Sequence, residues 1–209
     1  ALELSEEPLE IWNLLGMEHL LAEEYEDAAY FFKNCVSDIP DDYSSLYNLL
    51  YCYEQLEKNE EAIQVLNEIL EIDPYSEIAW HQLGLVLLKK GLLKEALSAF
   101  DFAIISDDTF TGAYIEKAKL LEGLGRVNEA ISNYEIALNT NDPSAFVYQS
   151  IGTCHEKLGN LELARQFYLK AIHIEPSNEN SWERIISFYT EQGNFKKAKD
   201  YFKRALDVN

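Results

Sequence analysis

Four histidines are the side chains of this sequence best suited to act as a base or a metal ligand near neutral pH. They are His19, His81, His155 and His173. His19 and His155 fall on apolar helical faces, which predicts core packing rather than catalysis. Only His81 is expected to face an open groove, and no serine, cysteine or carboxylate is spaced to act with it. The sequence therefore predicts no catalytic residue.

Three cysteines, Cys35, Cys52 and Cys154, are the remaining candidates for covalent chemistry or metal binding. Their number is odd, and no pair has the short Cys-x-x-Cys spacing of zinc and redox motifs. We expect buried free thiols in a reducing compartment, which indicates a cytoplasmic location. The glycines are spread along the chain and form no phosphate-binding loop. No metal and no cofactor is predicted.

The elements that position these residues recur every 34 residues. Counted from Glu77, the period gives six units without insertion or deletion: 9–42, 43–76, 77–110, 111–144, 145–178 and 179–209. Position 20 is alanine in every unit. Position 4 reads Trp12, Leu46, Trp80, Tyr114, Tyr148 and Trp182, and position 24 reads Phe32, Leu66, Phe100, Tyr134, Tyr168 and Phe202. This joint agreement of period and residue type indicates a tandem repeat.

Each unit predicts two helices, A and B. Positions 4, 7, 8 and 11 form one face of a first helix, and positions 20, 24 and 27 form one face of a second. Glycine at position 15 in four units marks the turn between them. Glu23 and Glu57 stand there in the first two units, so we expect those turns to be less tight. Since one helix pair cannot bury its apolar face alone, the chain is predicted to be an all-α, right-handed α-solenoid.

The pattern resembles the tetratricopeptide repeat family over essentially the whole chain. The resemblance implies a concave groove, lined by the A helices, that binds a peptide or protein segment. Carried onto this sequence, the groove positions give the candidate binding residues Asn13, Met17, Tyr47, Asn48, Tyr51, His81, Gln82, Leu85, Phe146 and Gln149. Several are more apolar than a solvated groove needs, which favours a binding surface, with Tyr47 and Tyr51 as its anchors.

Family members that hold chaperone C-termini use a two-carboxylate clamp of lysines, an arginine and asparagines. From the first unit this sequence offers Asn13, Met17, Asn48, Ile78 and Gln82, of which only Asn48 fits. From the fourth unit only Arg184 fits. The clamp is therefore absent, and so is a ladder of asparagines at position 6.

Charge is distributed unevenly. The chain has a net charge of −20, and residues 1–76 carry −17 of it. Such a field repels nucleic acid and anionic membranes, so neither is predicted as a partner, and no segment approaches the ~20 apolar residues of a membrane span. The acidic start could attract a basic partner, meet the more basic last unit of a second copy, or serve as a solvated surface.

Both ends of the chain resemble interrupted repeats. Residues 1–8 match the tail of a preceding unit, and the last helix has an apolar face with nothing after it, so we expect a fragment of a longer array. Because the first residue is Ala1 rather than Met, export stays open. The favoured function is a non-catalytic protein-binding scaffold, formed by a single repeat domain over 1–209. The alternatives are a self-assembling array, joined through its uncapped terminal repeats, and a regulatory segment of a larger enzyme.

Overall fold

A computed structural model describes residues 6–139 and 144–208. Within these ranges the chain forms twelve α-helices and no β-strand. In chain order they are α1 (Glu6–Leu21), α2 (Tyr25–Asp38), α3 (Tyr43–Gln55), α4 (Asn59–Ile72), α5 (Glu77–Lys89), α6 (Leu93–Ser106), α7 (Thr111–Gly123), α8 (Val127–Asn139), α9 (Ala145–Lys157), α10 (Leu161–Ile174), α11 (Glu179–Glu191) and α12 (Phe195–Val208). The predicted all-α class of paired helical repeats is confirmed.

The helices belong to two compact units. The first unit is Ala1–Asp108 and holds α1–α6, and the second is Thr109–Asn209 and holds α7–α12. Odd-numbered helices are the A helices and even-numbered helices the B helices of their repeats. A continuous repeat domain over 1–209 stays a prediction.

The turn between the A and B helices has one geometry in both units. Glycine at position 15 adopts the left-handed conformation, with φ between 71° and 76°. Glu23 and Glu57 adopt the same conformation, with φ of 60° and 55°. The prediction of less tight turns at these two residues is wrong, because the fold imposes the glycine geometry on a glutamate. The left-handed conformation costs a non-glycine residue about 1 kcal/mol.

Position 8 is glycine or alanine in four of the six units, and close contact between the two helices of a repeat explains this. A Cβ atom added to Gly84 would lie 2.4 Å from the Phe100 ring, and one added to Gly152 would lie 2.5 Å from the Tyr168 ring. The ring at position 24 thus occupies the space left by the missing side chain. Both rings are fully buried, and the alanines at position 20 lie beside them in the core.

The start of most A helices is fixed by a polar side chain at position 34 of the preceding repeat. Asp42, Ser76, Ser144 and Asn178 each accept a hydrogen bond from a backbone N–H of the first turn. Such caps typically contribute about 1 kcal/mol each. They set the register of the A helices, which carry the candidate binding residues.

Candidate functional site

The A-helix face of the first unit is the side of α1, α3 and α5 that carries the predicted residues from Asn13 to Leu85. On α3 the opposite side is buried in the core through Leu46, Leu49 and Leu50. The helical period then turns Tyr51 outward, and it is 46% exposed. Tyr47 and Asn48 are half-buried on the same side.

Two contacts join neighbouring A helices across this face. Asn48 Nδ2 on α3 lies 3.6 Å from the Met17 sulfur on α1. The Tyr47 hydroxyl lies 3.4 Å from the hydroxyl of Ser76, the N-cap of α5. The structure therefore brings Met17, Asn48 and Tyr47 onto one surface formed by three successive repeats.

The α5 residues are less exposed than the α3 residues. The His81 ring lies 5.9 Å from the Phe100 ring of its own repeat and is half-buried. Gln82 is also half-buried, and its Oε1 atom is buried without a hydrogen-bond partner in the described ranges. Leu85 follows one turn later and is half-buried, as is Asn13 on α1. His81 thus has a packing role on this face.

The last two predicted residues, Phe146 and Gln149, lie in the second unit and are engaged internally. Lys119 Nζ sits over the Phe146 ring at 4.9 Å, a cation–π contact. Gln149 Nε2 donates a hydrogen bond of 2.7 Å to Ser181 Oγ, which is fully buried. These contacts link neighbouring A helices and assign both residues a role in repeat-to-repeat packing.

A repeated carboxylate network occupies the equivalent face of the second unit. Glu122, at position 12, accepts hydrogen bonds from the Tyr134 hydroxyl at 3.3 Å and from Lys157 Nζ at 2.8 Å. One repeat later Glu156 accepts from the Tyr168 hydroxyl at 2.6 Å and forms a salt bridge with Arg184. In both cases the phenol comes from position 24 and the cation from the next repeat.

The networks keep their phenols neutral. Burial is the main cause that raises the pKa of Tyr134 and of Tyr168, and the adjacent glutamate raises the pKa further. Each tyrosine therefore remains a hydrogen-bond donor to its carboxylate. Sequence reasoning missed this network. Its signal was tyrosine in place of phenylalanine at position 24, combined with glutamate at position 12.

Glu54 occupies position 12 in the first unit and has no such partners. In the described ranges its carboxylate accepts no hydrogen bond and forms no salt bridge. Burial raises the pKa of Glu54, while the charge of Lys89 lowers it. An open depression of about 320 Å³ beside it is lined by Glu54, Glu57, Asn59 and Lys89.

The histidines at position 11 differ from the prediction in one respect. Both stack on a phenylalanine, His19 on Phe31 at 5.3 Å and His155 on Phe167 at 5.5 Å. His155 is half-buried, although its Nδ1 atom is inaccessible to solvent. His19 is not a core residue, because its Nδ1 reaches the exposed Glu24 carboxylate at 2.6 Å.

His19 and two carboxylates form a group that could hold a metal ion. Ligand atoms of His19, Glu24 and Asp27 lie within 4.8 Å of one another. Glu24 and Asp27 are exposed, and His19 Nδ1 is engaged with Glu24. The expectation of no metal stays a prediction.

The cysteines are buried and free, as predicted. Burial raises the pKa of Cys52 to about 11 and that of Cys154 to about 12. The reactive thiolate is therefore scarce at neutral pH, which argues against nucleophilic roles for these two thiols. Among the described helices, none has the length and apolar character needed to cross a membrane.

The chain is similar in fold to solved structures and, over part of its length, similar in sequence to a curated protein. The crystal structure of MamA protein superposes with a TM-score of 0.74 at 22% identity, over 84% of this chain and 96% of that chain. YrrB, described as a TPR protein with an unusual peptide-binding site, superposes with a TM-score of 0.66 at 19% identity, over 85% and 92%. Protein FlbA of Caulobacter vibrioides is 32% identical over 93 residues, or 44% of this chain, which spans only 16% of FlbA.

Two family models match the repeat directly. One tetratricopeptide repeat model matches residues 19–84, and another matches residues 147–178 and 181–209. The matched ranges cover more than half of the sequence and agree with the helix pairs and the glycine–ring contacts described above. The chain belongs to the tetratricopeptide repeat family.

Proposed function

We propose that the A-helix face of the first unit binds a peptide or protein segment and that the chain is a non-catalytic interaction scaffold. Tyr47 and Tyr51 are the anchors. Met17 and Leu85 extend the apolar surface, and Asn48 and Gln82 orient the bound backbone. Membership of the tetratricopeptide repeat family supports a role in protein–protein interaction in general.

The observation that carries the proposal is the exposure of aromatic and apolar side chains on this face. Tyr51 is 46% exposed and Met17 is 37% exposed, although the core of the same repeats buries residues of equal size completely. Tyrosine and methionine are enriched in interface cores because they bury much apolar area and adapt to the partner. The description of YrrB as having a peptide-binding site supports peptide recognition on this fold.

Tyr51→Ala tests the proposal, with Tyr75→Ala as the matched control. Peptides are selected from a displayed random library with the full chain, and their affinity is measured by fluorescence anisotropy. Tyr51→Ala is expected to weaken binding by about tenfold, typical of an exposed aromatic anchor. Tyr75 is 72% exposed in a loop, so its removal should leave binding unchanged. Equal affinity of both variants for every selected peptide would contradict the assignment.

Self-assembly is a second candidate, favoured by the surface of α12. This helix exposes Phe202 and Leu206 at 52% and 65% and carries five lysine or arginine residues. On α1, Leu14 and Leu21 are 71% and 82% exposed next to acidic residues. Mass in solution, followed by light scattering as salt rises, tests this candidate, because screening should dissociate a charge-steered assembly. A mass independent of salt and concentration excludes it.

A further inference from the structure

We infer that the depression beside Glu54 receives a lysine or arginine side chain of the bound segment, so that the partner is a cationic peptide with apolar flanks. The inference rests on the proposed function and specifies the chemistry of its ligand. The depression lies at the end of the A-helix face that is next to the A–B turn, because Glu57 is the turn residue and Asn59 begins α4.

The second unit shows what a carboxylate at position 12 binds. Glu156 takes the guanidinium of Arg184, which comes from position 6 of the next repeat. Glu122 takes the ammonium of Lys157, which comes from position 13 of the next repeat. In both repeats, therefore, a cation lies against this carboxylate on the side of the next A helix.

The first unit keeps the carboxylate, lacks the tyrosine and the arginine, and leaves the lysine without a salt bridge to the carboxylate in the described ranges. Position 24 of the same repeat is Leu66, which has no hydroxyl to donate. Position 6 of the next repeat is Gln82, which stands where Arg184 stands in the second unit and carries no charge. Lys89, at the position equivalent to Lys157, affects Glu54 through its charge but forms no salt bridge with it in the described part of the chain.

The surroundings of Glu54 suit a cation with an apolar stem. Tyr51 lies one helical turn before Glu54, with its ring edge-on to Tyr25 at 6.1 Å and still 46% exposed, so a segment whose cation reaches Glu54 would lay its apolar flank over this ring. The contact between Tyr47 and Ser76 places α3 beside α5, and at the other end of these helices Glu54 and Lys89 line the same depression. Glu57 lines the same depression and is a second, exposed carboxylate acceptor.

The wider field also favours a cationic partner. Residues 1–108 contain 24 acidic and 5 basic side chains, a net charge of −19. Such a field raises the rate at which a basic peptide arrives and repels an acidic one. The local acceptors and the overall charge therefore select the same ligand class.

The test uses peptides selected from the random library with the full chain, resynthesised with each lysine or arginine as the neutral acetyl-lysine or citrulline. We expect the selected peptides to be enriched in lysine or arginine between apolar residues. Neutralising the key cation should weaken binding about tenfold, and Glu54→Gln should cause the same loss. The two changes made together should weaken binding no more than either one alone. Glu61→Gln, an exposed carboxylate on α4, is the control and should change affinity less than about twofold.

Lys89→Gln gives a result of opposite sign. Removing this nearby cation should tighten binding of the cationic peptides about two- to threefold, because Glu54 then has no internal competitor. Peptides that depend on Tyr51 but bind Glu54→Gln normally would overturn the cation site and leave the proposed function intact. Selected peptides that depend on neither residue would overturn both.

Discussion

Both units have a glutamate at position 12, but its carboxylate has different partners in each. In the second unit Glu122 and Glu156 are held by a tyrosine of their own repeat and a cation of the next. In the first unit position 24 is Leu66 and position 6 of the next repeat is Gln82, while the nearby Lys89 forms no salt bridge with Glu54 in the described residues. A charge inside a fold is costly unless it is paired, and the second unit pairs its carboxylates internally. In the first unit we propose that a cation of the ligand supplies this pairing.

Removing the position 12 carboxylate should produce the largest difference in stability loss between the two units. Glu156→Ala leaves Arg184 and the Tyr168 hydroxyl without their partner, and should reduce the free energy of unfolding by about 2 to 3 kcal/mol. Glu54→Ala should change it by less than about 0.5 kcal/mol, because no internal contact is lost. Urea unfolding, with hydrogen exchange to locate the affected helices, measures both. Equal losses would show that Glu54 is also structural.

Adding a methyl group at position 8 should also destabilise the second unit more than the first. Gly152→Ala should destabilise by about 2 kcal/mol, because the added Cβ meets a Tyr168 ring that Glu156 and Thr153 hold in place and also lies 3.2 Å from the Ala164 carbonyl. Gly84→Ala should cost about 1 kcal/mol, since the Phe100 ring has no hydroxyl anchor and can shift.

Thermal unfolding followed by circular dichroism checks this pair of variants. Gly123→Ala is the control, because nothing lies within 4 Å of the added atom and alanine favours a helix. A larger loss for Gly84→Ala than for Gly152→Ala would indicate that the network does not fix the tyrosine ring.

Glycine substitution in the A–B turns should stabilise the first unit, where two turns have glutamate at the positive-φ position. Glu57→Gly and Glu23→Gly should each raise the free energy of unfolding by up to about 1 kcal/mol, because glycine adopts their positive φ without strain. The reverse change in the second unit, Gly159→Glu, should lower it by a similar amount. A destabilised Glu57→Gly would mean that the lost side chain matters more than the backbone.

The contributions of Glu175 and Glu54 to folding stability should depend on pH with opposite signs. The backbone N–H of Ala145 and the amide of Asn178 donate to Glu175 and lower its pKa, so its contribution is present above the ordinary carboxyl pKa and disappears as the pH falls through the folded value. Burial raises the pKa of Glu54, so its charged form costs stability near neutrality and this cost disappears on acidification.

Comparing Glu175→Gln and Glu54→Gln with the unmodified chain at pH 7 and pH 3.5 isolates these contributions. At pH 7 Glu175→Gln should lose about 0.5 kcal/mol and Glu54→Gln should lose nothing or gain slightly. Both differences should shrink at pH 3.5. A loss for Glu54→Gln that grows with pH would show that its carboxylate is stabilised in the folded chain.

Much of the fold could be predicted from the sequence because most units carry the same residue types at the positions where their helices meet. Small residues at position 8, rings at position 24 and alanine at position 20 predict which helix faces meet, and the contacts of Gly84 and Gly152 agree. The A-helix face was less predictable. His81 and Gln149 both occupy predicted groove positions. His81 packs on Phe100, whereas Gln149 donates a hydrogen bond to Ser181, and these contacts depend on residues of other helices.

Local periodicity and composition encode the helical repeat, its register, the buried thiols and the acidic character of the first half. Contacts between helices produce the glycine conformation of Glu23 and Glu57, and they pair Glu122 and Glu156 while leaving Glu54 without a salt bridge in the described residues. Backbone strain and ion pairing depend on packing between helices, which is fixed only when all the repeat contacts form together.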